Sequence, residues 1–216
     1  MTEDWLDRWE NGRTGWHEND GNAGLKSHWP AGVSGPRVLV PLCGKSPDLL
    51  WLVDRGHEVV GVELAEIAVR EFFSDHDLTF QVLKGEYLDC YTADDLPISI
   101  FCGDYFRFDS PPFDALYDRG ALVALPKSLR PRYVEQTRQL LRPGAVRLII
   151  TLEYDQSVVQ GPPYSVLPAE IGAYWNDLSR VAEIDDIKTC PPKFRQAGLT
   201  EIQEVVWLAS GESASR

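Results

Sequence analysis

The stretch RVLVPLCGKSPDLLWLVDRGHEVVGVEL, residues 37–64, decides how the rest of the chain is read. An apolar run at Val38–Pro41 meets a turn at Gly44. A stretch of helical spacing follows from Pro47 to Arg55, then a β-branched run over Glu58–Leu64. Apolar strands without alternation are expected where helices cover both faces of a parallel sheet, so the segment predicts a β-α-β unit. Pro47 suits the first turn of its helix, where a missing N–H does no harm, and Arg55-Gly56 suits its end.

Toward the C-terminus the pattern predicts a helix over 66–75, strands over 79–87 and 98–101 around a polar turn, and a strand ending near Tyr117. A helix over 127–141, closed by RPGA, precedes a strongly apolar strand over 145–154, a short helix over 170–177 and strands over 182–188 and 202–208. Residues 210–216 read as a polar, frayed tail. Toward the N-terminus, Trp5 and Trp9 share one face of a short helix over 2–11, and a Gly-rich polar stretch over 12–22 contains Trp16-His17. With no linker, repeat or composition break, 1–216 is expected to form one α/β domain. Its sheet is expected to be doubly wound, Rossmann-like and mostly parallel, with an N-terminal helical segment, 1–30, attached.

Composition narrows the function. The 216 residues are 44% hydrophobic and 25% charged, which is ordinary soluble composition. A formal net charge of −12 argues against nucleic acid and anionic membranes as main partners, because both concentrate proteins that carry a positive field. The four cysteines, Cys43, Cys90, Cys102 and Cys190, lack metal-binding spacing and read as buried thiols in a reducing compartment, with no metal expected. MTEDWLDRWENG is no signal peptide, and no apolar run approaches the roughly 18 residues of a membrane span. A cytoplasmic enzyme or binding protein is expected.

Ligands of such a sheet bind beyond the carboxyl ends of its strands. After the first strand comes the turn Leu42-Cys43-Gly44-Lys45-Ser46. After the second comes Glu63, 19 residues beyond Gly44, close to the roughly 20 expected of an acid that binds a ribose diol. The turn lacks G-x-G-x-x-G, and Leu39 stands where a phosphate loop needs its first glycine, so dinucleotides and nucleoside triphosphates fit poorly. A cofactor with a ribose and no pyrophosphate fits best, S-adenosylmethionine being the common one, and its sulfonium suits aromatic faces. Plainer roles stand beside these. Trp5 and Trp9 could dock a helix on the core, Glu63 could favour a helix N-terminus, Asp118 and Arg119 could form an exposed ion pair, His17 could be a surface group, and Cys43 could simply pack.

Taken in order, Trp5, Trp9 and Gly12, Trp16-His17, VLVPLCGKSPDL, RGHEVVGVEL, DRGALVALP, EYDQ, GPPY and PAEI resemble the thiopurine S-methyltransferase family over nearly the whole chain. The resemblance implies a class I methyltransferase sheet of about seven strands, the last antiparallel, with the N-terminal segment as a lid. It implies S-adenosyl-L-methionine held by Trp9, Leu42, Gly44, Glu63, Asp104, Tyr105 and Arg119, with Glu63 on the ribose. Trp16 and Lys193 then meet the acceptor, a small aromatic thiol, and the protein works as a monomer. Methyl transfer from a sulfonium needs an aligned nucleophile more than a strong base, because aromatic thiols are acidic. Arg119, helped by Lys193, is expected to favour the anionic acceptor. The alternatives are a methyltransferase acting on selenium or tellurium species, a non-catalytic S-adenosylmethionine-binding protein, and a nicotinamide oxidoreductase, the last disfavoured by the missing glycines.

Overall fold

A computed structural model describes residues 2–33 and 37–210, with the side chains of 2–4 left aside. The tail expected beyond Ser210 lies outside the described residues. In chain order the elements are α1 (Thr2–Glu10), α2 (Ala23–His28), β1 (Arg37–Pro41), α3 (Asp48–Val53), β2 (Glu58–Glu63), α4 (Glu66–Asp75), β3 (Phe80–Leu83), β4 (Asp89–Ala93), β5 (Ile98–Cys102), β6 (Phe113–Arg119), α5 (Ala121–Ala124), α6 (Arg130–Leu140), β7 (Leu141–Glu153), α7 (Pro168–Tyr174), β8 (Ser179–Asp185), α8 (Pro192–Gln196) and β9 (Gln203–Ala209). A 3-10 turn covers Tyr105–Arg107. The chain divides into two compact units, 1–22 with 32–113, and 23–31 with 114–216.

In the first unit the strands order β3-β4-β5-β2-β1. β1 pairs in parallel with β2, and β2 with β5, as the β-α-β reading requires. Val38, Leu39 and Val40 on β1, and Val59, Val60 and Val62 on β2, are all buried, so both faces of these strands are covered. α4 occupies the range predicted for it and buries Ala68, Val69, Phe72 and Phe73, a one-sided helical stripe. The register aligns Pro41 with Val62 and Glu63 with Cys102, which brings the carboxyl ends of β1, β2 and β5 level.

In the second unit the order is β6-β7-β9-β8. β9 is antiparallel to both β7 and β8. α6 buries Tyr133, Val134, Thr137 and Leu140, and Leu148, Ile149 and Ile150 on β7 with Val205 and Val206 on β9 supply the apolar sheet residues. The Trp207 indole N–H donates to the Thr151 hydroxyl at 2.9 Å, which satisfies both polar groups inside that core.

Several expectations need correction. The described residues contain nine strands, five in the first unit and four in the second, where about seven were expected. Antiparallel pairing is not confined to the last strand, since β3-β4 and β4-β5 are antiparallel too. The strand predicted over 79–87 stops at Leu83, and Asp89–Ala93, read as part of a polar turn, pairs back on it. Its mixed polarity hid it, whereas the Lys84–Asp89 ion pair at 2.5 Å brackets the reversal. α2, α5 and α8 were missed because four to six residues are too few to show a helical period. β7 begins at Leu141 where RPGA was read as a stop, and β8 lies three residues earlier than predicted, with an irregularity between Arg180 and Ala182.

Candidate active site

Glu63, the last residue of β2, is 6% exposed. Its Oε2 accepts the Gly44 N–H at 2.8 Å and its Oε1 accepts the Ala65 N–H at 2.9 Å. The carboxylate therefore joins the turn after β1 to the start of α4. Burial pushes its pKa up, while these N–H groups and that of Leu64 pull it back. A carboxylate has roughly four lone-pair sites, so accepting one N–H at each oxygen leaves acceptor capacity for a vicinal diol. The donor set thus fits the ribose of S-adenosylmethionine.

The turn that meets Glu63 has unusual backbone. Leu42 adopts φ +49, uncommon for a side chain of its size, and Gly44 adopts φ +55. A Cβ on Gly44 would stand 3.2 Å from Trp9 Cζ2, so the indole lies directly on the glycine. Trp9 is buried with Ala65 and Ala68, backed by Leu6 and Trp16. Trp16 packs edge-on against Trp5 at 5.1 Å and against Trp9 at 5.8 Å. Cys43 Sγ would be 2.7 Å from a Cβ at Gly61, and burial followed by the Glu63 charge pushes its thiol well up. The reading of Cys43 as a packing residue holds.

At the end of β5 the ladder continues for one more bond, from Gly103 N–H to Glu63 C=O at 2.8 Å, and delivers Asp104 beside the same edge. Asp104 Oδ1 accepts the Phe106 N–H at 2.9 Å and caps the 3-10 turn. Tyr105 is buried. The first unit thus brings together Trp9, Trp16, Gly44 and Glu63, and sets Asp104 and Tyr105 in the turn just beyond β5, the strand paired with β2.

The second unit holds the other expected residues. Asp118 is 1% exposed and no surface ion-pair partner, which corrects that expectation. Its Oδ2 accepts the Tyr133 hydroxyl at 2.6 Å, and its Oδ1 accepts the Ala121 and Leu122 N–H groups at 3.2 Å each. Desolvation raises its pKa to about 6 in spite of these three bonds. Gly120, at φ +105, makes the turn between this cap and α5. Half-buried Arg119 stands between Asp118 and that turn, at the carboxyl end of β6. Lys193, in α8, donates its ammonium to the Pro162 carbonyl.

These features have close counterparts elsewhere. The thiopurine S-methyltransferase family model matches residues 1–212. A thiopurine S-methyltransferase of Pseudomonas fluorescens (strain Pf0-1) is 42% identical over 214 residues, 96% of this chain and 97% of the relative. Another, of Photobacterium profundum, is 39% identical over 206 residues, 94% of this chain and 96% of the relative. The chain belongs to the thiopurine S-methyltransferase family. Among solved structures, Burkholderia thailandensis 1,6-didemethyltoxoflavin-N1-methyltransferase, with bound 1,6-didemethyltoxoflavin and S-adenosylhomocysteine, superimposes with a TM-score of 0.62 at 16% identity. The match covers 97% of this chain and 87% of that one. TehB of Haemophilus influenzae gives 0.58 at 14% identity, covering 98% and 68%. These likenesses give the family's fold as the Rossmann-like class I methyltransferase fold, and the methyl donor of this family member is S-adenosyl-L-methionine.

For a member of the thiopurine S-methyltransferase family, the least legible part of the sequence is what shapes residues 161–166. The Tyr164 N–H donates to the Val123 carbonyl at 2.6 Å, the Tyr154 hydroxyl to Pro163 C=O at 2.6 Å, and the Ser165 N–H to Gln156 Oε1 at 2.6 Å. Arg130, 2% exposed, donates to the Leu125 and Ser165 carbonyls and to both oxygens of Glu170 at 3.0 Å. Glu153, at the end of β7, keeps a buried Oε1 without a hydrogen-bond partner, and burial raises its pKa. The EYDQ and GPPY matches pointed to this region, but nothing in the sequence signals that a buried arginine ties it together.

Proposed function

We propose that the protein transfers the methyl group of S-adenosylmethionine to the sulfur of aromatic or heterocyclic thiols of the thiopurine kind. It does so as a cytoplasmic monomer in which 1–216 acts as one catalytic domain. The observation that carries this reading is Glu63, a buried carboxylate fixed by the Gly44 and Ala65 N–H groups with acceptor capacity to spare. The names of the relatives support the thiol class. Trp9, Leu42, Gly44, Asp104, Tyr105 and Arg119 complete the cofactor contacts, with Asp104 and Tyr105 flanking the adenine.

When bound, S-adenosylmethionine supplies a methyl carbon that the acceptor sulfur attacks in line, forming an S–C bond as the sulfonium S–CH3 bond breaks and leaving S-adenosylhomocysteine. Arg119, assigned to the acceptor as well as to the cofactor, favours the thiolate by its positive charge, and the thiol proton goes to solvent, so no protein base is required. Lys193, anchored by the Pro162 carbonyl, adds a second positive charge. Trp16 lines the acceptor pocket, its ring held edge-on between Trp5 and Trp9. Gly44 allows the backbone turn that delivers its N–H to Glu63.

Labelled methyl transfer tests this against a 6-thiopurine, thiophenol carboxylic acids, catechol, and selenite or tellurite. Transfer to the aromatic thiols is the expected result. Thermal stabilisation by S-adenosylhomocysteine with no transfer to any thiol would overturn the acceptor class while leaving the cofactor assignment standing.

A further inference from the structure

The segment Gly161-Pro162-Pro163-Tyr164-Ser165, wholly within the second unit, has a backbone that cannot secure itself. Pro162 and Pro163 carry no N–H, so this stretch offers carbonyls alone and must be fixed by donors from elsewhere. Three elements supply them. Lys193 of α8 donates its ammonium to Pro162 C=O, the Tyr154 hydroxyl just after β7 donates to Pro163 C=O at 2.6 Å, and Arg130 of α6 donates through Nη2 to Ser165 C=O at 3.2 Å. Ser165 is held at its other polar groups too, its Oγ accepting the Tyr154 N–H at 3.1 Å and its N–H donating to Gln156 Oε1.

Arg130 is placed to hold the chain and not to meet a ligand. It is 2% exposed, its charge is met by both oxygens of Glu170 at 3.0 Å, and its Nε takes the Leu125 carbonyl at 3.0 Å. A rigid guanidinium fork reaches the chain after α5, the 161–165 segment and α7 at once, which a single ammonium does not. Lys193 is different. It is half-buried, and its charge stands on a flexible four-carbon stem, so the place of the ammonium depends on the carbonyl that holds it. Tyr154 joins the two ends, because its hydroxyl holds Pro163 while its ring packs edge-on at 5.2 Å against Phe194, the neighbour of Lys193.

We propose that Arg130 is a positioning residue for the methyl acceptor: together with Tyr154 it fixes the carbonyls of 162–165, and these fix the ammonium of Lys193. The inference rests on the reading of Lys193 as an acceptor contact. A charge already held in place favours the bound acceptor without first having to be ordered, so loosening the segment weakens acceptor binding more than cofactor binding.

Steady-state methyl transfer by the full chain to a thiophenol carboxylic acid at saturating S-adenosylmethionine, alongside calorimetric titration with S-adenosylhomocysteine, tests this. Arg130→Met is expected to raise the acceptor KM about tenfold while affinity for S-adenosylhomocysteine stays within about twofold of the wild type. Tyr154→Phe keeps the ring, removes one hydroxyl and should raise the acceptor KM about threefold, so the inference stays testable if Arg130→Met folds poorly. In a Lys193→Gln background the effect of Tyr154→Phe should vanish, because residues that act through one charge are not additive. An acceptor KM unmoved by Tyr154→Phe, an equal rise with and without Lys193, or an equal loss of S-adenosylhomocysteine affinity would overturn the inference. A wild-type acceptor KM in Lys193→Gln would overturn the reading of Lys193 itself and the inference with it, whereas a raised KM in Lys193→Gln beside an unmoved one in Tyr154→Phe would overturn the inference alone.

Discussion

Glu63 and Asp118 are both buried carboxylates at the carboxyl ends of strands, one in each unit, and both accept backbone N–H groups from the chain that follows. Their remaining partners differ. Glu63 is held by backbone alone, through the N–H groups of Gly44 and Ala65. Asp118 is also locked by the Tyr133 hydroxyl at 2.6 Å, with two N–H groups on its other oxygen. A carboxylate whose donors come from two turns can still take up a diol. One closed off by a side chain from α6 can only hold its own loop in place. The same residue chemistry at equivalent strand ends thus keeps acceptor capacity in one unit and, in the other, is used up in holding the turn that carries Arg119.

The largest expected effect is on Asp118. Its pKa is about 6 in the fold against 3.8 for the ordinary carboxyl. Between those values the folded chain holds a proton that the unfolded chain has lost. Its contribution to stability is therefore complete below about pH 4, falls as pH rises toward 6, and changes little above that. The full change is at most about 3 kcal/mol. Urea unfolding of the wild type and of Asp118→Asn across this range should show stability lost with rising pH more steeply in the wild type than in the variant, and parallel curves would mean that Asp118 is not desolvated as described.

Next comes Glu63→Ala, which should weaken S-adenosylhomocysteine binding by roughly 1.5–3 kcal/mol in calorimetry, the loss of hydrogen bonds to a charged group. Unchanged affinity would erase the contrast, making Glu63 a structural cap like Asp118. Arg119→Ala should lower kcat/KM for an aromatic thiol by about tenfold, near 1.4 kcal/mol, with Arg119→Lys retaining part of the activity. If both variants match the wild type, the charge at the end of β6 plays no part in the reaction. The smallest effect concerns the N-terminal segment, which we propose closes over the cofactor as a lid. Amide exchange between residues 5 and 25 should slow when S-adenosylhomocysteine binds, and identical exchange would leave Trp9 as a core residue packed on Gly44.

The first unit was largely legible because its information is local. Arg37–Pro41, Glu58–Glu63 and Glu66–Asp75 emerged within a residue or two of their observed limits, since continuous apolar runs and a clear helical stripe leave few alternatives. Glu63 could be singled out because a strand end and a glycine turn sit at a recognisable spacing. The short pieces were not legible. Asp89–Ala93 becomes a strand by pairing with Phe80–Leu83 and Ile98–Cys102, and Pro192–Gln196 is anchored by Phe194 in a cluster with Tyr154, Cys190, Leu199 and Ile202.

What the sequence by itself determined is the β-α-β unit, the family and the identity of the acid at the end of β2, because periodicity, spacing and motif order are properties of neighbouring residues. What only the tertiary structure decided is the state of the charged groups. In sequence Asp118 could be read as half of an exposed ion pair and nothing singled out Arg130, yet both are buried and bonded to residues up to 40 positions away. Burial and hydrogen bonding set the energy of a charge, and both are made by elements that meet only once the chain has folded.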